Sequence, residues 1–127
     1  MPKQQITTTK GAPPAGAYSQ GLRVGDFIFV SGQGPLDPAT GKVVGTTIEE
    51  QTARTIENIQ AILAEGGATL ADVVKVSAHL IDLDLFDRYN EVYASYFPDP
   101  KPTRTTVGSQ LKGIMVEIDA IAYVGKE

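Results

Sequence analysis

Phe27-Ile28-Phe29-Val30-Ser31 is apolar on both of its faces. Side chains alternate along a strand, so Ile28 and Val30 point one way while Phe27 and Phe29 point the other. A sheet built around this segment therefore needs a cover on each side. Downstream, Thr47-Ile48-Glu49-Glu50 is a capping-box pattern that opens a helix, and Gly66-Gly67 is a stop for it. Ile56, Ile59 and Leu63 fall at i, i+3 and i+7, one packing stripe. Val74, Val76, Ala78 and Leu80 alternate with Lys75, Ser77 and His79, as a strand requires. A second helix follows Asp84, with Leu85, Tyr89, Val92, Tyr93 and Tyr96 at helical spacing and Pro98 at its end. The remaining strands are placed near Ala17-Tyr18-Ser19-Gln20 and at residues 101–107 and 115–122. The order is strand, strand, helix, strand, helix, strand, strand. Two helices cover one face of such a sheet and leave the other. Ile121 and Tyr123 share that second face with Glu117, which argues for a homo-oligomer whose sheets meet face to face.

The chain has 127 residues, 42% of them hydrophobic and 20% charged, which suits one domain over residues 1–127 with 1–13 as a partly flexible lead-in. A net charge of −4 argues against nucleic acid and against an anionic membrane surface as partners. No cysteine is present, which excludes disulfides, thiolate metal sites and a cysteine nucleophile. One histidine, His79, is too few for the common zinc and Ser-His-Asp arrangements. The N-terminus lacks the apolar core of a signal peptide, and no apolar run approaches the roughly 20 residues of a membrane span. The expectation is a soluble, cytoplasmic protein.

Arg104 stands in the β-branched run Lys101-Pro102-Thr103-Arg104-Thr105-Thr106-Val107. A guanidinium on a sheet needs a partner, and two readings are open. One is an internal pair with Glu117 or Asp119 of the last strand. The other is a clamp for a small carboxylic acid, since the planar fork fits a carboxylate in a bidentate way, with a nearby carboxylate as proton shuttle. Read alone, Tyr18 is a packed strand aromatic and His79 a structural residue. Tyr89, Tyr93 and Tyr96 form a core-facing stripe, and Asp119 is a solvated or paired charge. Ser31-Gly32-Gln33-Gly34 has the wrong spacing for a dinucleotide fingerprint, and Asp37-Pro38-Ala39-Thr40-Gly41-Lys42 is a hairpin turn rather than a phosphate loop.

Several segments, in order, match a known pattern. They are Gly16-Ala17-Tyr18-Ser19-Gln20-Gly21, Val30-Ser31-Gly32-Gln33, Tyr89-Asn90-Glu91-Val92-Tyr93 with Tyr96-Phe97, Pro102-Thr103-Arg104-Thr105-Thr106-Val107 and Val116-Glu117-Ile118-Asp119-Ala120-Ile121-Ala122. From about residue 14 to 124 the chain resembles the Rid family, the reactive intermediate deaminases also called YjgF or L-PSP proteins. The resemblance implies an α+β, chorismate-mutase-like fold: a mixed sheet with two helices on one face, assembled as a homotrimer around a barrel-like sheet core. Sites would lie in clefts between subunits and use neither metal nor cofactor. It also implies hydrolysis of enamines and imines such as 2-aminoacrylate and 2-imino acids to 2-keto acids and ammonia. Arg104 would grip the substrate carboxylate. Glu117 would orient or deprotonate the water and help ammonia leave. Tyr18 would line the cleft, Ser31 and Gly32 would border the substrate, and Asn90 would lie near the neighbouring subunit. Thr106 stands where many deaminase members have cysteine, keeping the small size, a hydroxyl and the backbone groups. Alternatives are a deaminase of one pathway, such as 2-aminomuconate breakdown, or a non-catalytic, 2-keto-acid-binding or chaperone-like trimer. The ribonuclease activity described for some members is disfavoured by the acidic pI of 4.9 and the lone histidine.

Overall fold

Thr47 begins the longer helix as its sequence pattern predicts. Its hydroxyl accepts from Glu50 N at 3.1 Å, while Glu50 Oε1 accepts from Thr47 N at 3.2 Å and Thr46 N at 2.9 Å. Three otherwise unpaired N–H groups are thereby satisfied. In the computed structural model, which describes residues 2–125, this helix is α1, Ile48–Glu65. Gly66 ends it, and Gly67 then adopts φ 87°, a turn that strongly favours glycine. Ile48, Ile56, Ile59, Ile62 and Leu63 are fully buried along one stripe. Each such side chain contributes about 1.5–3 kcal/mol by leaving water. The shorter helix, α2, spans Phe86–Tyr96 after a 3-10 turn at Leu83–Leu85. Its buried face is a column of rings: Phe86, Tyr89, Tyr93 and Phe97 follow one another at 5.9, 5.8 and 4.5 Å.

The six strands are β1 (Gln4–Ile6), β2 (Gly21–Val24), β3 (Phe27–Gln33), β4 (Val73–Leu80), β5 (Thr103–Gly108) and β6 (Val116–Tyr123). They form one sheet in the order β1-β2-β3-β6-β4-β5. β3 and β4 are both antiparallel to β6, so they run the same way, with α1 as the connection between them. β4 and β5 pair in parallel, which requires a crossover, and α2 supplies it. This is the expected α+β architecture, a mixed sheet with both helices on one face. Ile28, Val30, Val76, Ala78, Leu80, Val116, Ile118, Ala120 and Ala122 are buried beneath the helices. On the opposite face Phe27, Phe29 and Tyr123 each remain 42–43% exposed. Phe27 packs against Tyr123 at 5.1 Å and Phe29 at 6.5 Å, a continuous aromatic patch.

Two local expectations are corrected. The strand placed at Ala17-Tyr18-Ser19-Gln20 begins instead at Gly21, and Tyr18 lies in a bend. The preceding prolines and glycines keep the chain turning, and the Gln20 side chain bonds back to the backbone of Thr8 and Ala12. Ahead of it, Gln4–Ile6 form the edge strand β1, paired with β2 from Gln4↔Arg23 to Ile6↔Gly21. Finally, Val73 rather than Val74 enters the core, because β4 changes register against β6 between Val73 and Lys75.

Candidate functional site

An irregularity in β3 builds the first half of the site. Val30 faces Ala120 of β6, yet Gln33 faces Ile118, so β3 has one extra residue between them. Ser31 and Gly32 form this bulge, which re-aims them from the regular pleat. Gly32 passes under Glu117: a methyl group added there would lie 2.9 Å from Glu117 Oε2 and 3.1 Å from its Cδ. Ser31 ties the bulge to the preceding bend, its Oγ donating to Ser19 O at 2.6 Å and its N donating to Gln20 O at 3.0 Å. Gln20 in turn holds the segment before it, accepting from Thr8 N at 2.7 Å and donating to Ala12 O at 2.7 Å. The Tyr18 hydroxyl accepts from Ala15 N at 3.0 Å. Tyr18, Ser31, Gly32 and Glu117 line one cleft of about 290 Å³ on the open face. Glu117 has no ion-pair partner among the described residues.

The second half lies on the other face. In the β4–β5 ladder Arg104 stands beside Val76, whereas Glu117 stands beside His79 in the β4–β6 ladder. Val76 is buried under the helices, so register puts Arg104 on the α2 side and Glu117 on the open side. The internal Arg104–Glu117 or Arg104–Asp119 pair that the sequence left open is thereby excluded. Arg104 Nη1 donates instead to Asn90 Oδ1 at 2.7 Å. Its guanidinium carbon lies 4.5 Å from the Tyr93 ring centre, 5.4 Å from Phe86 and 5.6 Å from Tyr89, three aromatic rings around one cation. Burial pushes the Tyr93 phenol up to about 12, with the neighbouring Tyr89 adding to the rise and Arg104 opposing it. Burial likewise raises Tyr89. Both rings stay neutral at ordinary pH and act on Arg104 through their π faces. Asn90, Tyr93, Ala94, Lys101, Pro102 and Arg104 line a cleft of about 320 Å³.

Of the residues singled out by sequence, then, Tyr18, Ser31, Gly32 and Glu117 come together, as do Arg104 and Asn90. Thr106 shares the face of Arg104, but its buried Oγ1 has no full hydrogen bond among the described residues. The side chain is packed inward near Tyr89, so an outward contact at this position falls to the backbone. β5 is an edge strand, which leaves backbone groups on its outer side without a strand partner. His79 Nδ1 lies 2.7 Å from Ser109 Oγ. Sequence reasoning missed the second role of the tyrosine stripe. Tyr89 and Tyr93 are core residues as read, and they also cradle Arg104; their i, i+4 spacing opposite the arginine's strand was the available signal. Lys101 was missed because a lysine in a proline-rich connection carries no signal of its own.

The family model described as "Endoribonuclease L-PSP" matches residues 9–124. A RutC family protein of Pyrococcus abyssi is 54% identical over 97% of this chain and 98% of its own length. The chloroplastic Reactive Intermediate Deaminase A of Arabidopsis thaliana is 40% identical over 94% of this chain and 66% of its own. The crystal structure of RidA from the Antarctic bacterium Psychrobacter sp. PAMC 21119 superposes with a TM-score of 0.91 at 37% identity, covering 95% of this chain and 99% of that one.

Proposed function

The chain belongs to the L-PSP family of Rid and RutC proteins, and from that premise we propose that it hydrolyses reactive enamines and imines of 2-amino acids to 2-keto acids and ammonia. The observation that supports this most is Arg104. It makes no ion pair with a carboxylate of its own chain among the described residues, it is oriented by Asn90, and it opens onto a cleft. A fork held in this way suits a ligand carboxylate. The enamine tautomerises to an imine whose carbon is already electrophilic, so the reaction needs positioning, one water and proton transfer. In this reading the Glu117 carboxylate takes a proton from water as the oxygen adds to C2 of the imine. It passes that proton to nitrogen to give a neutral carbinolamine, then carries the hydroxyl proton to nitrogen as the C–N bond breaks and the C=O bond forms, leaving the 2-keto acid and ammonia. Tyr18, Ser31 and Gly32 border the reacting end, and Thr106 contributes backbone groups.

One subunit does not assemble this site, because Arg104 and Glu117 are on opposite faces of its sheet. The uncovered aromatic face offers a way out: a second copy laid against it brings the Arg104 edge of one subunit to the Glu117 face of another. The homotrimer with intersubunit clefts is the assembly proposed here. Ribonuclease chemistry, which the family model's description names, finds little support in a chain with net charge −4 and a single histidine. The direct test measures ammonia and keto acid from 2-iminopropanoate generated in situ by an amino-acid oxidase, with spontaneous hydrolysis subtracted. A protein that adds nothing to the background rate ends the deaminase reading.

A further inference from the structure

The Arg104 cleft has a second cation that the reaction just described leaves idle. Lys101 lines it with Arg104, and no carboxylate is among the lining residues. This concentration of positive charge stands out in a chain of net charge −4. The Lys101 ammonium is held at the C-terminal end of α2, donating to Ala94 O at 2.8 Å and to Phe97 O. A lysine caps helix carbonyls well in this position, and capping fixes the charge in place. Two of its three donors are used, and one remains for a ligand. Pro98, Pro100 and Pro102 restrict the segment that presents it.

The nearby acidic groups do not neutralise it. Asp99 lies 3.9 Å from Lys101 Nζ with its side chain 87% exposed, a pair weakened by solvent. Glu91 on α2 lines a different groove, shared with Glu49 and Arg88. Tyr93 also lines the cleft.

We propose that Lys101 binds a second carboxylate, and that the preferred substrates are imino acids with two carboxylate groups. One carboxylate engages the Arg104 fork and the other meets Lys101. This rests on the deaminase reading for its substrate class, so binding and turnover are measured separately.

Calorimetry compares 2-oxoglutarate with 2-oxobutyrate, the stable keto acids of the dicarboxylate and monocarboxylate series. The wild-type protein should bind 2-oxoglutarate about tenfold tighter, as expected for one more charge-assisted contact, with the advantage shrinking as salt is raised. kcat/KM for 2-iminoglutarate over 2-iminobutanoate, each generated in situ, should show the same preference. Lys101→Met keeps the apolar stem and should remove the preference, whereas Lys101→Arg should retain most of it. Equal binding of the two keto acids by the wild type overturns the proposal, as does an undiminished preference in Lys101→Met. If Lys101→Met fails to fold, the wild-type preference and its salt dependence decide. A protein that binds the dicarboxylate selectively but hydrolyses neither imine upholds the site and defeats the deaminase reading.

Discussion

Arg104 is a cation stored without a counter-ion among the described residues. Its stabilisation comes from Asn90 and from three rings, none of which is anionic. Cation–π contacts contribute about 0.5–2 kcal/mol each, and an ammonium retains part of this without the planar stacking, so Arg104→Lys should still fold, with a modest loss of stability. It keeps the charge and loses the bidentate fork, and kcat/KM should fall about 100-fold or more, mostly through KM. Steady-state kinetics with retained circular dichroism checks this; wild-type kinetics in the lysine variant would refute a bidentate clamp. Gly32 makes the complementary test on the other face. An added methyl group there lies 2.9 Å from the Glu117 carboxylate, which is the mobile end of a side chain and must move aside. Gly32→Ala should therefore change stability little while lowering kcat on the order of tenfold, with binding of a keto acid nearly retained. A variant that loses stability and keeps kcat would show that Gly32 serves only the bulge.

At the scale of elements, polar side chains of α1 hold the loops that frame the sheet. Asn58, fully buried, donates to Gly34 O at 3.1 Å and to Leu36 O at 2.9 Å. Gln51 accepts from Met115 N at 2.8 Å and donates to Gly45 O at 3.0 Å. Gly34 O keeps its bond from Leu36 N, so Asn58→Ala removes the side-chain donor from Leu36 O alone and should destabilise by about 1–2 kcal/mol, read as a lower denaturation midpoint at unchanged m-value. A change below about 0.5 kcal/mol would mean that water replaces the amide at no cost. Both helices were legible because their signals are local: a capping box at Thr47, a glycine stop at Gly66-Gly67, and apolar residues at helical spacing. What hid was register. The bulge at Ser31-Gly32 and the slip between Val73 and Lys75 arise from pairing with β6, a distant segment. The same pairing decides that Arg104 and Glu117 face apart. Period-two alternation assigns relative faces within one strand, but it does not say how one strand's faces align with another's. The two candidate site residues were thus readable and their separation was not.

For the molecule as a whole, the separation of Arg104 from Glu117 and the bare aromatic face make a single demand. Phe27, Phe29 and Tyr123 are a patch that a monomer would leave in water, and covering them with another copy would complete the site. The assembly should run at about three times 13.5 kDa by light scattering. Each cleft of a cyclic trimer would take Arg104 from one subunit and Glu117 from its neighbour. Two inactive variants should then rescue one another. Arg104→Ala lacks the clamp and Glu117→Gln lacks the base, so trimers of either alone have no intact site. Unfolded together in equal amounts and refolded, they assemble at random. About one cleft in four then receives an intact Arg104 from a Glu117→Gln subunit and an intact Glu117 from an Arg104→Ala subunit. About a quarter of wild-type turnover should return, and separately refolded proteins mixed afterwards should show far less. If co-refolding restores nothing while trimers form, Arg104 and Glu117 act within one subunit or not together at all, and the composite site is wrong.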